Sequence, residues 1–302
     1  MNPEDPPPEL EVIRDHRRQW RSCLYVYPVI SRRSKGLSIG VNLNPDKRCT
    51  FSCLYCQVDR RVRRGLSEVR LDVLREELHI ALAEAIAGRI WLEPRFAATP
   101  ADLRRINDIA LSGDGEPTCL EDFDRAVAVT AEVKDQAKRP DVKIVVITNS
   151  SLLDQPPFQR ALPVLDANNG EIWAKLDAGS EERFRRINQP PANVTLARIL
   201  ENIKLVARGR PVVIQTLLFR LDGAGPPPQE ITAYCRRLRE ILQGGGRIKL
   251  VQLHTIARSP ASPAASALPQ AELADIARQV REALGEVPVE IYPGTNVPPQ
   301  AE

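Results

Sequence analysis

The chain has 302 residues, 43% of them apolar and 27% charged, a balance that fits a globular protein with an ample core and excludes a predominantly disordered chain. No stretch approaches the ~20 consecutive apolar residues of a membrane helix. The acidic, proline-rich start Met1-Asn2-Pro3-Glu4-Asp5-Pro6 lacks the basic and apolar regions of a secretory signal, so a cytoplasmic location is expected.

After a polar leader, residues 37–43 alternate as a strand does and lead into a cysteine-rich loop. Leu71, Leu74, Leu78, Leu82 and Ile86 then recur at helical spacing, which predicts a helix over about 68–88. A strand at 109–112 enters a Gly/Asp turn and a helix near 121–138. The β-branched run 142–147 predicts a strand and 157–165 a short helix. A strand at 171–176, a helix marked by Leu196, Ile199, Leu200 and Ile203, and a strand at 212–217 continue the rhythm. A helix near 230–242, a strand at 248–254, an amphipathic helix marked by Leu273, Ile276, Ala277, Val280 and Leu284, and a strand at 289–292 complete it.

Strands separated by helices imply parallel pairing through right-handed βαβ crossovers. Six such units predict an α/β fold, either an open partial (β/α)6 barrel or a doubly wound sheet, with the chemistry at the C-terminal strand ends. The expected division is a polar extension over 1–23, one domain over 24–293 and a proline-rich tail over 294–302.

Three of the six cysteines crowd into Cys49-Thr50-Phe51-Ser52-Cys53-Leu54-Tyr55-Cys56. This spacing points to metal binding rather than a disulfide framework. Three thiolates on one loop can occupy three corners of an iron–sulfur cubane and leave the fourth iron open, which is what a catalytic cluster requires. The rival is a zinc site completed by His16, His79 or His254. Cys23, Cys119 and Cys235 are scattered, so a second cluster is not expected. The turn Ser112-Gly113-Asp114-Gly115-Glu116-Pro117-Thr118 combines two glycines, which permit close approach, with a carboxylate; a capped βα turn would read the same way. Polar residues then fall at successive strand ends, namely Thr148 and Asn149, Lys175 and Asp177, and Gln215, and in a parallel sheet these converge on one crevice.

Taken in order, the cysteine loop, the G-x-G-E-P-T turn, Thr148-Asn149-Ser150-Ser151-Leu152-Leu153 and Lys175-Leu176-Asp177-Ala178 resemble the radical S-adenosylmethionine (SAM) superfamily across about residues 24–258. More narrowly, Ser31-Arg32-Arg33-Ser34-Lys35-Gly36-Leu37, Gly40-Val41-Asn42-Leu43, Ile187-Asn188-Gln189-Pro190 and Gln252-Leu253-His254-Thr255 look like Fe–S oxidoreductases related to wyosine-base, tRNA-modifying synthases. The resemblance implies a partial TIM-like barrel. It also implies a [4Fe–4S] cluster on Cys49, Cys53 and Cys56, with Tyr55 near the adenine of SAM. Gly113, Asp114, Gly115 and Glu116 would receive the methionyl amine, although relatives commonly read G-G-E where Asp114 stands. Thr148 and Asn149 would contact ribose or carboxylate, with Lys175, Asp177 and Gln215 extending the polar floor.

The implied activity is reductive cleavage of SAM to a 5′-deoxyadenosyl radical, fed by a low-potential donor such as flavodoxin or ferredoxin. The substrate class stays open between tRNA or another RNA, a small molecule, and a partner protein that receives a glycyl radical; a non-enzymatic metal protein is the remaining alternative. Residues 1–70 hold fourteen Lys/Arg against eight Asp/Glu. The segments Arg14/Arg17/Arg18/Arg21 and Arg60/Arg61/Arg63/Arg64 could accordingly dock an acidic donor, bind RNA, or form a solvated face.

Overall fold

The computed structural model describes residues 18–60, 68–258, 260 and 262–294. Strands β1 (Val26–Ser31) and β2 (Gly36–Val41) pair antiparallel through a tight hairpin. β1 has no counterpart in the sequence reading. It is buried almost throughout, so the alternation of a half-exposed strand is missing, and Pro28 argues against an internal strand. Its place at the sheet edge reconciles both features, because proline is tolerated there.

From β2 the chain builds a parallel sheet: β3 (Ile106–Leu111), β4 (Lys143–Thr148), β5 (Gly170–Lys175) and β6 (Val212–Leu217). The short β7 (Phe219–Leu221) leaves this sheet, and β8 (Ile248–His254) rejoins it beside β6. β9 (Ala265–Ala267) pairs with β7 as a separate ribbon, and β10 (Val289–Tyr292) ends the sheet beside β8. The connecting helices are α1 (Leu71–Ile86), α2 (Phe123–Gln136), α3 (Pro156–Ala167), α4 (Glu181–Asn188), α5 (Leu196–Gly209), α6 (Pro228–Gln243) and α7 (Gln270–Leu284). Six crossovers thus link seven parallel strands among the described residues.

Spatial order follows chain order without reversal. With right-handed crossovers every helix then falls on one face, which excludes the doubly wound alternative and curls the sheet into a half-barrel. Ile109, Ile144, Val146, Ile172 and Ile214 are at most 1% exposed under the helices. α5 shows why those helices form. Thr195 Oγ1 caps the amide of Arg198 at 3.2 Å, and Leu196, Ile199, Leu200, Ile203 and Val206 make one buried stripe. α4 was not foreseen, because its eight residues carry more charge than apolar side chains; Ser180 caps the amide of Arg183, and Glu181 and Glu182 suit the positive helix start.

The alternate strand residues face the lumen. Ala110, Val145, Trp173 and Val213 form an apolar band there. Toward the N-terminal strand ends, Glu171 accepts from Lys143 at 2.7 Å, Lys249 at 2.6 Å and Trp173 Nε1 at 3.0 Å. The described backbone ladder does not close. Lys35–Glu290, at 3.0 Å, and Arg32 Nη1 to the carbonyl of Pro293, at 2.8 Å, reach from the β1–β2 hairpin to the β10 edge. No helix among the described residues is long and apolar enough to cross a membrane.

Asp108 sits in the lumen at 2% exposure, hydrogen-bonded to Ser38. Burial pushes its carboxyl from 3.8 up to about 6. An acid with a higher pKa in the folded state binds more protons there, so its contribution is most favourable below pH 3.8 and is lost as the pH rises through about 6. Asp108→Asn is therefore expected to stabilise the fold at pH 7 by about 1–3 kcal/mol, with the gain shrinking toward zero at about pH 4. Thermal unfolding at both pH values checks this; an unchanged or lowered pH 7 stability would refute it.

Candidate functional site

The chain leaves β2 at its C-terminal end and enters the cysteine loop. Two apolar side chains anchor the loop. Phe51 packs edge-on against Phe184 and Tyr55 edge-on against Phe219, each with ring centroids 5.6 Å apart. The amides of Ser52 and Leu54 donate to the carbonyls of Gln189 and Ile187, at 3.3 and 2.9 Å, so the end of α4 straps the loop in place.

Cys49, Cys53 and Cys56 are half-buried, unpaired, and border one cavity of about 340 Å³. Each sulfur has its own N–H donor. Asn149 Nδ2 lies 3.8 Å from Cys49 Sγ, Asn188 Nδ2 lies 3.5 Å from Cys53 Sγ, and Arg60 Nη2 lies 3.6 Å from Cys56 Sγ. Burial pushes the Cys53 thiol up to about 12 and Cys49 in the same direction. Among the described residues no three His, Cys, Asp or Glu side chains converge closely enough to hold a single metal ion. His79 is exposed on α1, and His16 lies outside the described residues.

The second motif meets this loop directly. A Cβ on Gly115 would stand 1.9 Å from the carbonyl oxygen of Arg48, and one on Gly113 would stand 2.3 Å from Asn42 Oδ1. Neither glycine has a positive φ. Gly115 is needed because the segment entering the cysteine loop presses against the turn, and Gly113 because Asn42 at the end of β2 does, a reason that spacing alone does not reveal. Asp114 accepts from Arg18 Nη1 at 2.5 Å and Asn42 Nδ2 at 2.8 Å. Glu116, 2% exposed, accepts from Thr118 Oγ1 at 2.6 Å, Thr148 Oγ1 at 2.7 Å and the amides of Asn149 and Thr118 at 2.7 and 3.3 Å. Burial nevertheless pushes its carboxyl upward. Asn149 passes the connection on, donating to Thr50 Oγ1 at 2.7 Å.

The expected residues divide into two groups. Cys49, Cys53, Tyr55, Cys56, Gly113, Gly115, Glu116, Asn149 and Lys175 border the cavity. Asp114, Thr148, Asp177 and Gln215 stand behind it, turned to protein partners. Asp177 accepts from Tyr55 Oη, from Asn188 Nδ2 at 3.0 Å and from the amide of Leu217 at 2.8 Å, and Gln215 Nε2 donates to Gln252 at 2.8 Å. Lys175 Nζ lies 3.5 Å from Asp177 Oδ1 and 5.2 Å from the Tyr55 ring centroid. Asn188, Arg33 and Arg258, given no role in the sequence reading, also lie at or beside the cavity, and so does His254, there a candidate zinc ligand.

Of the eight arginines in the two expected basic segments, Arg18, Arg21 and Arg60 are among the described residues. Arg18 enters the cavity to meet Asp114, and Arg21 pairs with Glu84 and Glu93 at 2.8 Å. Arg60 turns inward to the Lys47 carbonyl and Cys56. Arg14, Arg17, Arg61, Arg63 and Arg64 lie outside the described residues.

A single-wound parallel half-barrel with its cavity at the C-terminal strand ends, edged by three thiols, defines an α/β-barrel enzyme built to hold a cofactor at its mouth. The family model of the radical SAM superfamily matches residues 43–222. The chain belongs to that superfamily and is a radical SAM enzyme, which works with a [4Fe–4S] cluster and SAM.

The chain is 30% identical over 176 residues to a UPF0026 protein of Methanocaldococcus jannaschii, covering 58% of this chain and 47% of that one. It is 25% identical over 176 residues to a GTPase Obg of Brachyspira hyodysenteriae, covering 58% and 22%. The matches thus span about half or less of these curated relatives. Among solved structures, a radical SAM methyltransferase from Sphaerobacter thermophilus matches with TM-score 0.60 at 15% identity, covering 88% of this chain and 68% of that one. Streptococcus suis SuiB bound to S-adenosylmethionine gives 0.56 at 13%, covering 86% and 52%. TYW1 with a lysine-pyruvate adduct bound gives 0.52 at 16%, covering 82% and 74%. At these identities the structural likeness is one of fold.

Proposed function

We propose that Cys49, Cys53 and Cys56 hold the [4Fe–4S] cluster and that the cavity they border receives SAM. On this reading the chain generates a 5′-deoxyadenosyl radical that modifies a small molecule or tRNA. The observation that carries it is the arrangement of three sulfurs on one loop, all facing one cavity and each served by a separate N–H donor. Hydrogen bonds to the sulfurs are a protein's means of tuning such a cluster. When bound and reduced, the cluster supplies the electron that splits SAM into methionine and the radical.

The chain's own residues do the rest. Phe51, Tyr55 and the α4 strap hold the loop, while Asn149, Asn188 and Arg60 orient the sulfurs. Gly113, Gly115, Glu116, Asn149 and Lys175 supply the wall where SAM would lie; Asp114, Thr148, Asp177 and Gln215 fix that wall from behind. Trp173, Val145 and Ile147 line the lumen and keep water from the reacting carbon. A low-potential protein such as flavodoxin or ferredoxin would deliver the electron.

Anaerobic reconstitution with iron and sulfide is expected to load about four irons per chain. Added SAM and a chemical reductant should then yield 5′-deoxyadenosine. A fully loaded cluster that forms none would overturn the proposal.

A further inference from the structure

We propose that Arg33, Arg258 and His254 form a receptor for the phosphate monoester of a small-molecule substrate. This rests on the reading of the lumen as the active site. Arg33 comes from the β1–β2 hairpin, Arg258 from the loop after β8, and His254 from the end of β8; all three border the cavity that the cysteines border.

The cations of this cavity differ in how they are matched. Arg18 is paired with Asp114, and Lys175 lies beside Asp177. Neither Arg33 nor Arg258 makes an ion pair with a carboxylate among the described residues. The carboxylates near them are committed elsewhere. Asp108 is bound to Ser38, and Glu116 accepts four hydrogen bonds. Burial, with Arg18, Arg33 and Arg32 nearby, drags the Arg258 guanidinium down to about 10, and burial beside Arg32 lowers Arg33 as well. Keeping clustered like charges enclosed without an ion-pair partner is costly, and an anionic ligand lowers that cost.

His254 adds an independent sign. Its Nδ1 is buried without a hydrogen-bond partner. Burial, together with Arg33 and Lys175, keeps the imidazole neutral, so it can offer an N–H to an oxyanion without adding charge. Two guanidinium forks and one N–H match the three terminal oxygens and near-double charge of a phosphate monoester. A single carboxylate would leave one guanidinium uncompensated. The phosphodiesters of RNA carry one charge each and would have to thread into the lumen.

Inorganic phosphate titrated calorimetrically into the full chain at fixed ionic strength is expected to bind at least tenfold more tightly than acetate. Arg33→Gln and Arg258→Gln should each weaken phosphate by about tenfold or more, and Arg33→Lys should recover part of the loss, with thermal unfolding as the control for folding. SAM affinity of the reconstituted variants should change less than about threefold. Phosphate affinity that survives both Gln substitutions overturns the proposal. So does an equal loss of SAM affinity, which would assign the arginines to the SAM carboxylate. Phosphate binding that persists in a chain unable to cleave SAM would leave this receptor standing while the proposed function fails.

Discussion

Alanine at Cys49, Cys53 or Cys56 is expected to abolish the visible absorbance of the cluster and to drop 5′-deoxyadenosine formation to the enzyme-free background. On the proposed assignment three thiolates would hold three irons with none in reserve, so losing one would remove a corner rather than weaken a bond. Among the described residues, His79 is exposed on α1, Cys23 precedes β1 and Cys235 lies on α6, so none of these is placed to replace it. Cys119 is the nearest alternative, close enough to Cys49 for their charges to interact. Cys119→Ala is thus the matching control, expected to keep its iron. The half-buried positions of the three loop cysteines mean that the fold should survive, so circular dichroism will separate loss of cluster from loss of structure. A full iron content in any of the three variants would overturn the ligand assignment.

Glu116→Ala is expected to have the second largest effect, through stability and SAM affinity together. The carboxylate gathers Thr118 Oγ1, Thr148 Oγ1 and two backbone amides, and thereby ties the 113–116 turn to the end of β4. Leaving buried donors without an acceptor costs about 1–3 kcal/mol each, less what water entering from the cavity restores, so a loss of about 2–4 kcal/mol is expected. Asn149 should shift with the turn, and SAM affinity should fall by about tenfold or more, while iron content is retained. Glu116→Gln keeps acceptor capacity on one oxygen and should fall between. Chemical denaturation and SAM titration distinguish the outcomes. If affinity fails at unchanged stability, the residue acts by direct contact with SAM; if neither changes, it has no role in the site.

The β/α rhythm was legible because each parallel strand carries a β-branched or apolar run and the longer helices carry an apolar stripe. β1 and α4 escaped for opposite reasons, one too uniformly buried to alternate and the other too short and charged to show a stripe. The cysteine loop could be read from spacing because its ligands are neighbours in the chain. Asn149, Asn188 and Arg60 reach those sulfurs from three different segments, and no local pattern announces such meetings. Position along a strand likewise says which end a residue occupies but not which way its side chain turns. Lys175 borders the cavity, whereas Asp177 and Gln215, also at strand ends, are spent on protein partners.

The incomplete ladder between β1 and β10 also bears on mechanics. Every other neighbouring pair in the sheet is joined by backbone hydrogen bonds, which resist separation together. Among the described residues flexible side chains do the joining here, and an exposed pair such as Lys35–Glu290 contributes only about 0–1 kcal/mol. The half-barrel is therefore stiff around most of its circumference and compliant along one line. Arg32 and Arg33 lie in the hairpin on that line. The lumen can widen or narrow there without breaking a strand pairing, as a split ring opens at its gap.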